Sequence, residues 1–236
     1  MWRLGVIAVL VWTLVGCTST VAGTATGRTG TKTPHPSAHG LPALLLSLDE
    51  MKQLLKFDDM AIQDTLTEPE ARGIYQPPDC VGAVFSSMAG SYDGSGYRDF
   101  YEVRQKDATG GDVPHWVDQS AATFDNDTAA KDFVTHQVAQ WHQCVGRQFK
   151  YAYPRPTDWQ DSYRIGDTTD SGCVAMISSV TTGDEHYTDI RALAAKSNIV
   201  VDLQFTGFDL TDEPATAVNR ILDRIASHGH DCAFWA

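Results

Sequence analysis

The sequence predicts an α+β fold: a single domain over residues 41–236 in which helices flank an antiparallel β-sheet and two disulfides staple the chain. Three observations lead there. Short segments in which apolar and polar residues alternate dominate the second half, as strands of an antiparallel sheet do. Segments with helical spacing do not alternate regularly with those strands, which argues against a parallel βαβ sheet. Four cysteines, Cys80, Cys144, Cys173 and Cys232, remain once Cys17 is set aside, an even number with no C-x-x-C pair that would point to zinc or redox chemistry.

Cys17 is set aside because of what surrounds it. Met1-Trp2-Arg3 is a short basic start, and Leu4 to Val15 is an apolar run of signal-peptide length, too short to span a bilayer. The run ends in Leu14-Val15-Gly16-Cys17, which resembles the lipobox of bacterial lipoproteins, so residues 1–16 are expected to be cut away and Cys17 to carry the lipid. Residues 17–40 are nearly all Thr, Ser, Gly, Ala, Pro and His, too polar to bury a core, and read as a flexible lipidated tether.

Within the domain, Ser47-Leu48-Asp49-Glu50 is a capping box opening a helix to about Phe57, with Leu48, Met51, Leu54 and Leu55 inward. Gln76-Pro77-Pro78-Asp79 is a rigid approach to Cys80, and Val81 to Ser87 suits a strand or a short helix. Tyr97 to Arg104 and Val113 to Ala122 read as a hairpin around Gly110-Gly111. Asp127 is the expected cap of a long helix, Thr128 to Cys144, that buries Ala130, Phe133, Val134, Val138, Trp141 and Val145. Extended segments follow at Gln148 to Tyr153, Trp159 to Ile165 and Gly172 to Val180, then a hairpin of Tyr187 to Ala195 and Ile199 to Phe205. Thr211 is expected to cap a last helix, Asp212 to about His228, with Ala217, Val218, Ile221, Leu222 and Ile225 inward and Gly229 as its stop.

Charge narrows the function. The chain has 18 basic and 30 acidic residues, a net charge of −12, and loses one more positive charge, Arg3, with the leader. No basic stripe is available to neutralise phosphates, which excludes a nucleic-acid partner and contact of the domain surface with anionic lipid. The nucleophile elbow, the zinc helix, the P-loop and the dinucleotide fingerprint are all missing, so no catalytic residue is assigned and the chain is read as a non-enzyme with no cofactor. Asp49 with Glu50, Asp58 with Asp59 and Asp184 with Glu185 are adjacent acids whose side chains diverge, and they read as solvated surface. His228, His230 and Asp231 follow a helix end, where histidine suits the dipole, and His136 and His142 do not share a helix face; no metal site is assigned. Tyr75, Tyr92, Tyr97, Tyr101, Trp116, Trp159, Tyr163 and Tyr187 exceed what a core needs, and such side chains line clefts, but without the strand register no ligand-binding residue is assigned among them.

The order Pro78-Asp79-Cys80-x-Gly82, an Ala-containing helix ending Trp141-His142-Gln143-Cys144, then Trp159, Cys173, Asn198-Ile199-Val200-Val201 and a terminal Ala/Ile helix resembles the extracellular sensor domain of the mycobacterial serine/threonine kinase PknH, and more closely the mycobacterial lipoproteins that carry such a domain without a kinase. The likeness covers about residues 42 to 230. It implies an antiparallel sheet flanked by helices, a ligand cleft, and sequential disulfides, here Cys80 with Cys144 and Cys173 with Cys232. The resemblance departs in one respect: this sequence has neither kinase domain nor transmembrane helix, so a signal would pass through another protein. The expectation is a cell-membrane lipoprotein on the extracytoplasmic face, held by the lipid on Cys17, whose domain takes a small-molecule, lipid or cell-wall ligand. The alternatives are a structural lipoprotein that docks onto an envelope protein partner and, behind it, an unrecognised envelope hydrolase.

Overall fold

Alternating side chains favour extended segments, and in the computed structural model, which describes residues 38–107, 115–153, 155, 159–183 and 187–225, nine strands join in one antiparallel sheet. They are β1 (Met60–Leu66), β2 (Ile74–Gln76), β3 (Asp99–Asp107), β4 (Trp116–Thr123), β5 (Gln148–Ala152), β6 (Trp159–Ser171), β7 (Val174–Thr181), β8 (Thr188–Lys196) and β9 (Ile199–Gly207), in the order β1-β3-β4-β9-β8-β7-β6-β5-β2. The expected hairpins are β3 with β4 and β8 with β9, and the pairing of β4 with β9 joins the two halves of the chain. The two edge strands are the ones the sequence does not announce. β1 leaves four consecutive residues exposed and β2 has only three residues, so neither shows a period-2 pattern. β9 is buried along its whole length because both faces of the sheet are covered there.

Four helices and two 3-10 segments do the covering. On one face lie the 3-10 segment Ala38–Ala43, α1 (Leu48–Leu55) and α4 (Glu213–Arg224), packed over Val103, Val117, Val201, Leu203 and Phe205. On the other lie the 3-10 segment Pro78–Ala83, α2 (Ala89–Tyr92) and α3 (Asp127–Cys144), packed over Phe100, Ala122, Ile177, Leu193 and Val200. The open choice at Val81 to Ser87 is thus settled as a 3-10 turn that begins three residues earlier. The Ser47–Glu50 capping box is formed, with Glu50 N–H donating to Ser47 Oγ at 3.3 Å and Ser47 N–H to Glu50 Oε2 at 2.9 Å. Of the residues expected inward on α1, Met51 is fully buried and Leu48, Leu54 and Leu55 are partly so.

Two expected caps move by one residue. Asn126, not Asp127, has the extended backbone of an N-cap, and its Oδ1 accepts from Ala129 N–H at 2.9 Å; Asp127 sits in the first turn, where its charge suits the helix dipole and pairs with Lys131. Asp212 precedes α4, with Thr211 one place outside donating its N–H to Glu213 Oε2 at 2.7 Å. That helix closes at Arg224, shorter than expected, because Ile225 is already extended and Lys196 Nζ takes the Leu222 carbonyl at 2.7 Å. Val145, expected inward on α3, is instead its half-exposed C-cap, and Gln137 takes a buried place.

Cys80 and Cys144 form a disulfide that ties the 3-10 segment to the end of α3, their Cα atoms 5.7 Å apart. Closing a 64-residue separation contributes about 4 kcal/mol by restricting the unfolded chain. Cys173 is also disulfide-bonded; Cys232, its expected partner, lies outside the described residues, as do Cys17, His228, Gly229, His230 and Asp231.

Under α3 the sheet holds a buried ion pair. Arg191 of β8 and Asp202 of β9, both without solvent exposure, meet in a two-pronged contact, Nε to Oδ1 and Nη2 to Oδ2, each 2.8 Å. Asp202 Oδ2 also accepts from Tyr92 OH and Ser87 N–H at 3.1 Å. Arg191 Nη1 donates to the Gly82 carbonyl and to Gln137 Oε1, and its guanidinium lies 5.3 Å from the Trp141 ring centroid. Removing one member strands the other in a medium that cannot solvate it. Asp202→Asn is therefore expected to lower unfolding free energy by about 3–5 kcal/mol, read from urea midpoints at constant m-value; a loss under ~1 kcal/mol would mean that the pair does not hold the layers together.

Candidate functional site

α3 covers only part of its face of the sheet. Beyond it, the same face presents Arg104 and Lys106 on β3, Trp116 and Asp118 on β4, Gln204 and Thr206 on β9, Asp189 on β8, Tyr163 on β6, Tyr151 on β5 and Tyr75 on β2. With Glu70, Arg72, Phe85, Ser86, Met88, Tyr153 and Tyr187 they enclose a cleft of about 460 Å³.

The sheet must curl to do this. β3 and β5 are six places apart in the strand order, about 29 Å in a flat sheet at ~4.8 Å per strand. Yet Arg72, 5.9 Å from the Tyr153 ring just past β5, binds Glu70, and Glu70 in turn reaches Arg104 of β3 at 3.4 Å. Irregular pairing at Tyr151/Ala152 and at Ile165/Thr168 marks where the strands bend. At the second of these Gly166 lets the strand pass close to Ser178, since a Cβ there would stand 2.5 Å from Ser178 Oγ.

One wall of the cleft is a short pairing of two loop segments. Glu70 N–H donates to the Ser87 carbonyl at 2.8 Å, and Ala89 N–H to the Glu70 carbonyl at 2.9 Å. Floor side chains hold this wall by its backbone: Gln204 Oε1 accepts from Ser86 N–H at 2.9 Å, and Asp202 from Ser87 N–H. Ser87 is at φ 57°, a left-handed conformation uncommon for serine, kept by these bonds and by its Oγ contact with Ser120 Oγ at 2.8 Å.

Charges run as a chain along one end. Arg72 grips Glu70 with two bonds of 2.6 and 2.9 Å; Arg104 Nε binds Glu102 Oε1 at 2.8 Å and stands 4.0 Å from Asp118 Oδ1, which accepts from Trp116 Nε1 at 2.5 Å. Lys106 Nζ lies 5.3 Å from the Trp116 ring centroid. The hydrogen bonds of Arg72 hold the Glu70 carboxyl down to about 2. Glu102, with no side-chain exposure, is pushed up to about 8 by burial and then by the Asp118 charge. Burial likewise raises Asp118 to about 6, against the pull of Arg104 and Trp116. On the floor, Asp189 Oδ1 accepts from Gln204 Nε2 at 3.2 Å and from Thr206 Oγ1.

Of the aromatic residues singled out in the sequence, Tyr75, Trp116, Tyr163 and Tyr187 line the cleft. Tyr92 is buried behind the wall with Tyr97 packed on its edge, and Tyr101 belongs to the opposite face; the Trp159 side chain lies outside the described residues. The lining residues that sequence reasoning missed are Tyr151, Tyr153, Phe85, Met88, the polar Ser86, Gln204 and Thr206, and the charged set. Their signal was present: Tyr151 and Tyr153 alternate, and Arg104, Asp118 and Asp189 are charged residues inside strands. Asp49 and Asp58 are exposed, Asp59 is half-buried, and Glu50 is engaged as a cap and as a partner of Arg224. Asp184 and Glu185 lie outside the described residues, and His136 and His142 are exposed on α3.

Because Glu102 binds its proton more tightly in the folded chain than at its ordinary value near 4.5, it contributes stability below that value that is lost as pH rises toward about 8. Glu102→Gln is expected to flatten this slope, the native chain losing on the order of 3–4 kcal/mol more than the variant between pH 5 and 8. Parallel urea midpoints across that range would contradict the assignment.

Comparison with known proteins places this geometry. The family model of the PknH-like extracellular domain matches residues 36–228. The serine/threonine-protein kinases PknH of Mycobacterium bovis and Mycobacterium tuberculosis are each 26% identical over 196 residues, 81% of this chain, but that stretch is only 32% and 30% of their length, so the chain spans about a third of the curated relatives it matches. The crystal structure of the extracellular domain of PknH from Mycobacterium tuberculosis superposes with a TM-score of 0.73 at 24% identity, covering 80% of this chain and 95% of that one, and shares its fold. The chain belongs to the PknH-like extracellular domain family.

Proposed function

We propose that this chain is an extracytoplasmic envelope lipoprotein whose domain binds a ligand without transforming it, and that the cleft is where the ligand sits. One observation carries the reading: a cleft within the usual ~300–1,000 Å³ of small-molecule sites brings seven aromatic side chains opposite acids and bases. Family membership supports it, since the matching part of the relatives is described as an extracellular domain. The lipobox-like Leu14-Val15-Gly16-Cys17 supports anchoring through lipid on Cys17, with residues 17–40 as tether. A sensing role follows if the ligand-bound form is read by another envelope protein.

Acids with raised pKa values also mark active sites, and Asp118 lines the cleft. Binding is the better account, because the acids that face the cleft are engaged by neighbouring donors: Glu70 by Arg72, Asp118 by Trp116, Asp189 by Gln204 and Thr206. Glu102, the most perturbed, is fully buried and does not reach the lining.

Cys17→Ser is expected to move the chain from the membrane to the soluble fraction; unchanged membrane retention would remove the lipid anchor from the account. Native mass spectrometry of the chain purified from its own envelope is expected to find a bound molecule that Trp116→Ala loses. Repeated recovery of empty native chain would favour the docking alternative.

A further inference from the structure

We infer that the ligand of the cleft is a glycan, a chain of hydroxyl-bearing sugar rings, and not an acyl chain or a polyanion; this deepens the binding reading and rests on it. The lining decides the class by what it contains and what it lacks. Among the described residues it has seven aromatic side chains and Met88, and the rest are polar or charged; no Leu, Ile, Val or Ala contributes. An acyl chain is recognised by aliphatic walls, which the protein has in quantity in its two cores and withholds here. Tyrosine and tryptophan instead offer flat apolar faces with a polar edge, which suits a ring that has C–H groups on its faces and hydroxyls around its rim.

Charge excludes the polyanion. Three cations, Arg72, Arg104 and Lys106, are matched by three acids, Glu70, Asp118 and Asp189, so no one-signed field is focused into the cleft. What this set offers is donors and acceptors side by side: guanidinium and ammonium groups give, carboxylates accept, and Gln204 does both. A hydroxyl both gives and accepts, and a row of hydroxyls can satisfy such a lining without leaving a buried charge unpaired. The rings that would serve as platforms are already oriented: Tyr75 and Tyr151 lie face to face, 5.7 Å between centroids, with Phe85 at 5.5 Å edge-on to Tyr151. Tyr153 carries the platform toward the rim, beneath Arg72.

The test uses the full chain in detergent on immobilised oligosaccharides built from N-acetylhexosamine, hexose and pentose units, with palmitate as competitor. Retention on at least one glycan, undiminished by palmitate and about tenfold weaker in Tyr151→Ala, is the expected result, with Tyr151→Phe retaining most of the affinity. Should Tyr151→Ala fail to fold, as judged by its melting curve, Tyr153→Ala at the rim carries the comparison. Binding of palmitate with no retention on any glycan would overturn the glycan assignment and leave the cleft as a binding site. Glycan retention unchanged in both tyrosine variants would overturn the cleft itself as the site, and the binding reading with it. Retention on no glycan, with palmitate also unbound, would overturn the assignment as well.

Discussion

The Arg191–Asp202 pair is the contact on which the rest is hung. A guanidinium and a carboxylate with no solvent exposure carry a desolvation cost that only full engagement offsets, and here nearly every neighbouring element supplies part of it. The 3-10 segment gives the Gly82 carbonyl, α2 the Tyr92 hydroxyl, α3 the Gln137 amide and the Trp141 ring, and the cleft wall the Ser87 amide. Gly82 is needed for this approach, since a Cβ there would stand 2.9 Å from Arg191 Nη1 and 2.5 Å from Ser91 Oγ. The Cys80–Cys144 bridge closes the same assembly two residues away. Four elements thus converge on one charge pair in the middle of the sheet, and their positions are correlated through it.

The cleft is the part of that face which the assembly leaves open. Its wall is held by the same Asp202 that anchors the buried layer, through Ser87, and by Gln204 one pleat further along β9. Cleft floor and core are therefore built on one strand, with alternate residues of β9 serving opposite faces: Val201, Leu203 and Phe205 pack under α4, while Asp202, Gln204 and Thr206 form the polar floor and its support. The chain carries a large negative charge, but the cleft is locally balanced, its three cations matched by three acids.

Much of the fold was legible because its signals are local. The Ser47–Glu50 box, the spacing of Phe133, Val134, Val138 and Trp141, and the alternation through β3, β4, β8 and β9 each report a period that neighbouring residues set by themselves. Where the reading slipped, the cause was equally local. Asn126 and Asp127 are both good caps and only backbone angles separate them, and edge strands wet on much of their surface carry no pattern to read. Tyr75, Trp116, Tyr163 and Tyr187 reached the cleft and Tyr92, Tyr97 and Tyr101 did not, because Tyr75, Tyr92 and Tyr101 are the same residue type on a wall, behind it and on the opposite face.

By itself the sequence determined the α+β class, the types of the capped helices and of the central strands, and the even set of cysteines for the domain, all consequences of periodicity and composition along the chain. The tertiary structure alone decided where the site is. Arg104 of β3 and Tyr153 beyond β5 meet the local Glu70–Arg72 pair only because the sheet curls between β3 and β5 through irregular pairings whose bends accumulate over several strands, and no stretch of sequence contains that sum. The ionisation of Glu102 and Asp118 was set in the same way: burial and a neighbouring carboxylate raise both, and neither condition exists until distant strands have closed around them.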